Sequence, residues 1–369
     1  MKVLLIDDKA KKGWEQLLKL IFPFQNMVIE SATTYVDAID LIQNEYDIIL
    51  LDIRLEANDY KKINIEDFSG YKILKKIKRN FSIVNFSTPI ILLTASNKIW
   101  NIDAFKEYGV DSYFIKEHPD YIFDKKASNY SYEIFRDNFE NLLFDIGPRR
   151  KDVWRLSNEI INKINKHYYF NGSKKDKNIK NRIIDKLKLG YAYLFKGQTK
   201  LEKDLLKTNN ESLAFIIYFS ILEEIVKGFS DISTWNTATY ERNINWKFKN
   251  KEYFIEKNKD GITVNITFDK KKAINYSDDT NEYSKYSEGL INLSEQMYSL
   301  IAAYSDGDNY TKLSNSFQEI NKFRNETDYI HSNVKNIFTK ELIHKDTTED
   351  AYNNCCKVLE LINDILSLI

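Results

Sequence analysis

Ile48-Ile49-Leu50-Leu51-Asp52 decides how the first third of this chain is read. Four consecutive apolar residues end on a carboxylate. No polar residue alternates with them, which suits a strand buried on both faces of a parallel sheet. Working outward, Val3-Leu4-Leu5-Ile6 runs into Asp7-Asp8, Pro89-Ile90-Ile91-Leu92-Leu93 into Thr94, and Ser112-Tyr113-Phe114-Ile115 into Lys116. The weaker Met27-Val28-Ile29 supplies a fifth strand. Helical patterns over 12–22, 35–44, 70–79 and 101–108 lie between the runs. Strand and helix alternate, which predicts an α/β doubly wound sheet with right-handed crossovers. The carboxylates, hydroxyl and ammonium then share the sheet's carboxyl edge, where open α/β sheets bind ligands. Oxygen ligands suit a hard divalent cation, and an aspartate with its charge neutralised can accept a phosphoryl group.

As a set, Asp7-Asp8, Asp52, Thr94-Ala95 and Lys116 resemble the receiver domain of two-component response regulators, over residues 1–125. The resemblance implies a flavodoxin-like fold and a Mg²⁺ site built from Asp7, Asp8, Asp52 and the backbone carbonyl of Arg54. It also implies phosphorylation of Asp52 by a sensor histidine kinase or phosphotransfer protein. Lys116 would pair with the phosphate, Thr94 would swing to meet it, and Tyr113 would rotate with the switch. Two departures stand out. The family usually places a cis proline after the switch lysine; here Glu117 follows and Pro119 comes later. A cis bond at a non-proline residue is costly, so a differently shaped loop is expected. The segment 54–69 is long for a turn after the phosphoacceptor. It reads as a solvated insertion, with a lid or docking loop as the alternative. Asp at a strand end often only caps a helix; five correctly placed groups argue for more.

At 369 residues the chain can hold two or three domains. Hydrophobic residues make up 43%, enough for real cores, and 54 Lys+Arg balance 54 Asp+Glu, so global charge points to no partner. Residues 149–207 are locally basic, with 17 Lys/Arg against 6 Asp/Glu. Such a stretch could meet RNA phosphates, or simply be a solvated helix face. Cys355 and Cys356 are adjacent and have no other cysteine to pair with, so they read as reduced packing residues of a cytoplasmic protein. No apolar run approaches the ~20 residues of a membrane span, and no secretory signal opens the chain, so no membrane partner is expected.

Gly147-Pro148 predicts a break in regular structure and a boundary between units 1–147 and 148–369, with 132–144 as an extra receiver helix. Beyond it the pattern is mainly helical: 153–168, 179–195, a very apolar and therefore central 214–226, then 284–304, 311–339 and 348–369. Lys259-Asp260-Gly261, flanked by 252–256 and the alternating 262–268, predicts one inserted β-hairpin. Arg324-Asn325 precedes His331 by two helical turns, so Arg324 and His331 line one stripe if the helix continues. An imidazole can serve general acid/base chemistry and a guanidinium can hold a phosphate, together enough to cleave RNA without metal. This motif, with the apolar helix ending in Glu223-Glu224, resembles HEPN domains over 150–369. Those are helical bundles that pair to form a composite cleft, many of them ribonucleases and others interaction modules. The remaining histidines, His118, His167 and His344, read as structural.

The combined reading is a cytoplasmic response regulator whose receiver sets the homodimer geometry of a HEPN-like output domain. Arg324, Asn325 and His331 are its candidate ribonuclease residues. The main rival is a non-enzymatic output that dimerises or binds a partner protein on phosphorylation. His331 as a phosphotransfer histidine is a second rival. A DNA-binding output is less supported, since no compact helix-turn-helix follows the receiver.

Overall fold

The computed structural model describes residues 1–24, 26–94, 105, 109–116, 125–195, 210–231, 243–248, 251–257, 263–268, 272–277, 293–305, 307–326 and 347–368. The chain divides into two compact units, Met1–Arg155 and Leu156–Ile369.

The first unit carries five parallel strands: β1 (Lys2–Ile6), β2 (Val28–Ala32), β3 (Ile48–Asp52), β4 (Ile90–Thr94) and β5 (Ser112–Ile115). Their order, β2-β1-β3-β4-β5, is the doubly wound order predicted from the alternating pattern. Residues along each apolar run point alternately to two cores, which is why every position had to be apolar. Leu4, Ile6, Ile49, Leu51, Ile90 and Leu92 face one core, under α2 (Tyr35–Leu41) and α3 (Ser69–Lys78). Val3, Leu5, Ile48, Leu50, Ile91 and Leu93 face the other, under α1 (Trp14–Ile21) and α4 (Lys125–Asn141). There Phe22 and Phe139 stack with centroids 4.0 Å apart.

Several local expectations change. The helix predicted over 12–22 starts only at Trp14, because Gly13 has φ +119°, which ends the short Ala10–Lys12 turn. Of the helix predicted over 101–108, only Phe105 lies within the described residues, buried in the first core. The 54–69 segment is not simply solvated. Two 3₁₀ turns, Ala57–Lys61 and Ile65–Asp67, fold around the fully buried Asp59. Its carboxylate accepts from the Glu56 N–H at 3.0 Å, the Lys62 ammonium at 2.6 Å, and the Ser69 N–H and hydroxyl. Helical structure also runs through Gly147-Pro148 instead of breaking there. α4 passes through a π-turn, Leu142–Ile146, into α5 (Gly147–Lys166). Gly147 is needed because a Cβ would sit 2.7 Å from the Leu142 carbonyl oxygen.

The second unit is mainly helical: the end of α5, α6 (Lys174–Leu194), α7 (Asn210–Phe229), α8 (Leu293–Tyr304), α9 (Gly307–Glu326) and α10 (Thr347–Leu368). α7 is central, burying Phe215, Tyr218, Leu222, Ile225 and Phe229 among others. The single hairpin expected near 251–269 is part of a larger antiparallel sheet. β8 (Lys251–Lys257) and β9 (Thr263–Phe268) pair in the predicted manner, Ile255 opposite Ile266. They are flanked by β7 (Asn243–Phe248), β10 (Lys272–Ser277) and the short β6 (Ser230–Asp231). The turn at 259–261 lies outside the described residues.

Glu224 on α7 is buried and receives Arg182 Nε at 2.9 Å and Lys186 Nζ at 3.1 Å. Burial pushes its carboxyl up, but those hydrogen bonds and the Lys186 and Lys227 charges outweigh it and hold it below the ordinary glutamate range. A folded value below the unfolded one gives stability that is present at neutral pH and lost as pH falls through the folded value. Glu224→Gln is therefore expected to cost about 2–4 kcal/mol at pH 7 in denaturant titrations, with the gap to wild type closing in acid. A gap independent of pH would remove the ion pairs from the account.

Candidate functional site

The order reversal between β1 and its neighbours β2 and β3 puts the crevice of a doubly wound sheet beyond the ends of β1 and β3. Asp7 and Asp8 follow β1, and Asp52 is the last residue of β3. One carboxylate oxygen from each of the three lies within 4.8 Å of the others. β5 ends one residue before Lys116, whose ammonium reaches Asp52 Oδ2 at 2.5 Å and also pairs with Asp7 Oδ2.

Backbone amides fix the second oxygen of two of these carboxylates. Asp7 Oδ1 accepts from the Lys9 N–H at 2.7 Å, and Asp52 Oδ1 from the Arg54 N–H at 3.1 Å. Asp7 is fully buried and Asp52 partly so, its side chain 14% exposed. Burial raises the Asp52 carboxyl; Lys116 pulls it back and the Asp7 charge adds to the rise, leaving it above the usual aspartate range. Burial disfavours the Lys116 ammonium, but the two facing carboxylates overcome this and raise it.

The anchoring of Asp52 depends on α3. The Gly70 N–H donates to the Ile53 carbonyl at 3.0 Å, and a Cβ at Gly70 would run into the Asp52 carbonyl oxygen and lie 2.7 Å from Ile53 Cα. Arg54 starts the insertion, its guanidinium 5.1 Å from the centroid of Phe68 and 5.8 Å from that of Tyr60. Trp14 also stands at the site, its ring centroid 5.4 Å from the Lys116 ammonium. Nothing in the sequence pattern singled it out within the helix predicted over 12–22.

Of the other residues read as receiver site groups, Tyr113 is 40% exposed on β5. Thr94 ends β4, with its side chain outside the described residues, as are Glu117 and Pro119. In the second unit Arg324 lies in the last turn of α9, its guanidinium 4.7 Å from the centroid of Phe219 on α7. Asn325 continues that helix, with its side chain outside the described residues, and His331 lies wholly outside them. No described helix is long and apolar enough to cross a membrane.

Residues 3–125 match the family of response regulator receiver domains. A 116-residue stretch is 29% identical to the transcriptional regulatory protein ResD of Bacillus subtilis (strain 168), covering 31% of this chain and 41% of that protein. Among solved structures, a two-component response regulator from Clostridium difficile is 27% identical, over 35% of this chain and 93% of that one, with a TM-score of 0.25. The Francisella response regulator 1452 receiver domain is 26% identical, over 36% and 98%, also with a TM-score of 0.25.

Proposed function

Because residues 3–125 form a response regulator receiver domain, we propose that the chain is a phosphorylation-controlled, cytoplasmic two-component regulator with Asp52 as its phosphoacceptor. The observation that carries this reading is the meeting of Asp7, Asp8 and Asp52 with the Lys116 ammonium at the sheet's switch point. Three carboxylates around one ammonium leave a net negative, oxygen-lined site, and that donor set fits Mg²⁺. Asp7, Asp8, Asp52 and the Arg54 carbonyl would hold it. Once bound, Mg²⁺ supplies charge neutralisation for a phosphoryl group. An Asp52 carboxylate oxygen attacks the phosphorus of a phosphohistidine on a sensor kinase or phosphotransfer protein. The P–O bond forms as the P–N bond breaks, and the departing imidazole takes up a proton. Lys116, already on Asp52 Oδ2, offsets the added charge. Thr94 and Tyr113 are the groups that then reorganise, biasing the β5 surface between two states. Uptake from a small-molecule phosphodonor is expected to need Mg²⁺ and to vanish in Asp52→Asn; uptake by that variant would refute the assignment.

For the helical unit we propose a HEPN-like output whose homodimer forms a ribonuclease cleft from Arg324, Asn325 and His331. It is supported by the central apolar α7 and by Arg324 at the end of α9, beside that helix. Exposed Lys166, Lys174, Lys175 and Lys177 around the α5–α6 turn, beside the 80% exposed Tyr168, would suit single-stranded RNA. Labelled RNA is expected to be cut by the full chain and not by His331→Ala. Equal behaviour of the two would favour the non-enzymatic partner-binding reading.

A further inference from the structure

We propose that Trp14 is a positioning residue for Lys116, holding the ammonium over its ring so that it meets the phosphoryl group arriving on Asp52. The inference rests on the phosphoacceptor reading of Asp52. Lys116 has two anionic neighbours, Asp7 and Asp52, and a long side chain with many rotamers. Two carboxylates alone would draw it into whichever is less shielded. The Trp14 ring supplies a third, uncharged point of attraction, with its centroid 5.4 Å from Nζ, within cation–π range. Lys116 is 8% exposed, and loss of water strengthens such a contact.

The ring is itself braced. Phe114, buried on β5 two residues before Lys116, meets Trp14 edge-on, with centroids 6.2 Å apart and planes at 81°. One strand therefore supplies both the ammonium and the wedge that orients its aromatic support. On the other side of the contact, Gly13 adopts φ +119°, a conformation that L side chains rarely adopt, and this turn starts α1 at Trp14. An ordinary residue at 13 would favour a longer helix, as the 12–22 pattern predicts, and would move the indole. When Asp52 gains a phosphoryl group, the anionic oxygens lie further out than the carboxylate, and Lys116 must follow them. A π face attracts a cation without a fixed hydrogen-bond direction, so it can hold Lys116 through that shift. A carboxylate in its place would compete with the phosphoryl oxygens.

The test uses the full chain as wild type, Trp14→Leu and Trp14→Phe. In metal-free protein, the Lys116 Cε carbon and its protons are expected to lose ring-current shielding in Trp14→Leu and to keep part of it in Trp14→Phe. With Mg²⁺ and acetyl phosphate, Trp14→Leu is expected to take up phosphoryl about tenfold more slowly, with Trp14→Phe recovering most of the rate. Mg²⁺ affinity, measured by calorimetry, should stay near the wild-type value in both variants because the Lys116 ammonium remains among the same carboxylates and the charge of the cluster is unchanged. A wild-type rate in Trp14→Leu, an unmoved Lys116 resonance, or a parallel loss of Mg²⁺ affinity and rate would overturn the proposal; the last would mark Trp14 as a packing residue only. No uptake by wild type would instead refute the phosphoacceptor reading, a failure distinct from that of Trp14.

Discussion

Replacing Lys116 with methionine is expected to move three properties of the receiver unit in different directions. Metal-free stability falls, because Asp7 is fully buried and loses its ammonium partner while the Asp52 carboxylate remains within 4.8 Å. Breaking a buried ion pair from one side costs about 3–5 kcal/mol, and the partial exposure of Asp52 puts the expectation at the lower end. Mg²⁺ affinity rises, because a competing cation has left a cluster of three carboxylates. A unit charge at 4 Å is worth about 4 kcal/mol at an effective dielectric constant of 20, so a gain of at least about tenfold survives generous screening. Phosphoryl uptake and the response to it fall, since no ammonium remains to meet the new charge. Denaturant titration with and without Mg²⁺ reads the first two effects. Wild-type stability with weaker Mg²⁺ binding would mean that Lys116 supports the site by shape and not by charge.

Gly70→Ala is the second large effect. The added methyl group would meet backbone on three sides, the Asp52 carbonyl oxygen, Ile53 Cα and, at 2.8 Å, the Ile53 carbonyl oxygen. Backbone cannot rotate away as a side chain can, so either α3 or the end of β3 must shift. Overpacking of this kind costs about 1–3 kcal/mol or more. A displacement of about 1 Å at the phosphoacceptor costs about 10²-fold in rate. The variant should therefore lose phosphoryl uptake far beyond its loss of stability. Stability loss with a normal rate in the folded fraction would show that α3 yields and Asp52 does not.

These two residues also show what can be read without a structure. Lys116 was legible because an apolar strand ends on it, and strand ends in a parallel sheet share one edge. Asp7, Asp8 and Asp52 were legible for the same reason. Their strands are buried on both faces, as the two cores on either side of the sheet show. The close approach of Gly70 to β3 was invisible, since it depends on how α3 meets the strand end across the insertion. Asp59 gave no local signal either; its carboxylate is charged and sits in a polar segment, and it becomes a buried anchor through the Glu56 and Ser69 amides, the Ser69 hydroxyl and the Lys62 ammonium. Gly147-Pro148 misled because Gly-Pro usually breaks helices, whereas here the π-turn Leu142–Ile146 comes directly before it and the helical backbone continues through Pro148. In the second unit the apolar face of α7 was plain. The full antiparallel sheet was not, because only β8 and β9 carry a turn signal that marks them as a pair.

The most direct measurement is mapping of the phosphoryl group on the full chain after incubation with Mg²⁺ and either acetyl phosphate or a phosphohistidine donor. The account predicts one phosphoryl group, stable in acid and released by hydroxylamine, on the peptide that contains Asp52. An acid-labile phosphate on a histidine peptide, or no incorporation by a folded chain, would contradict it.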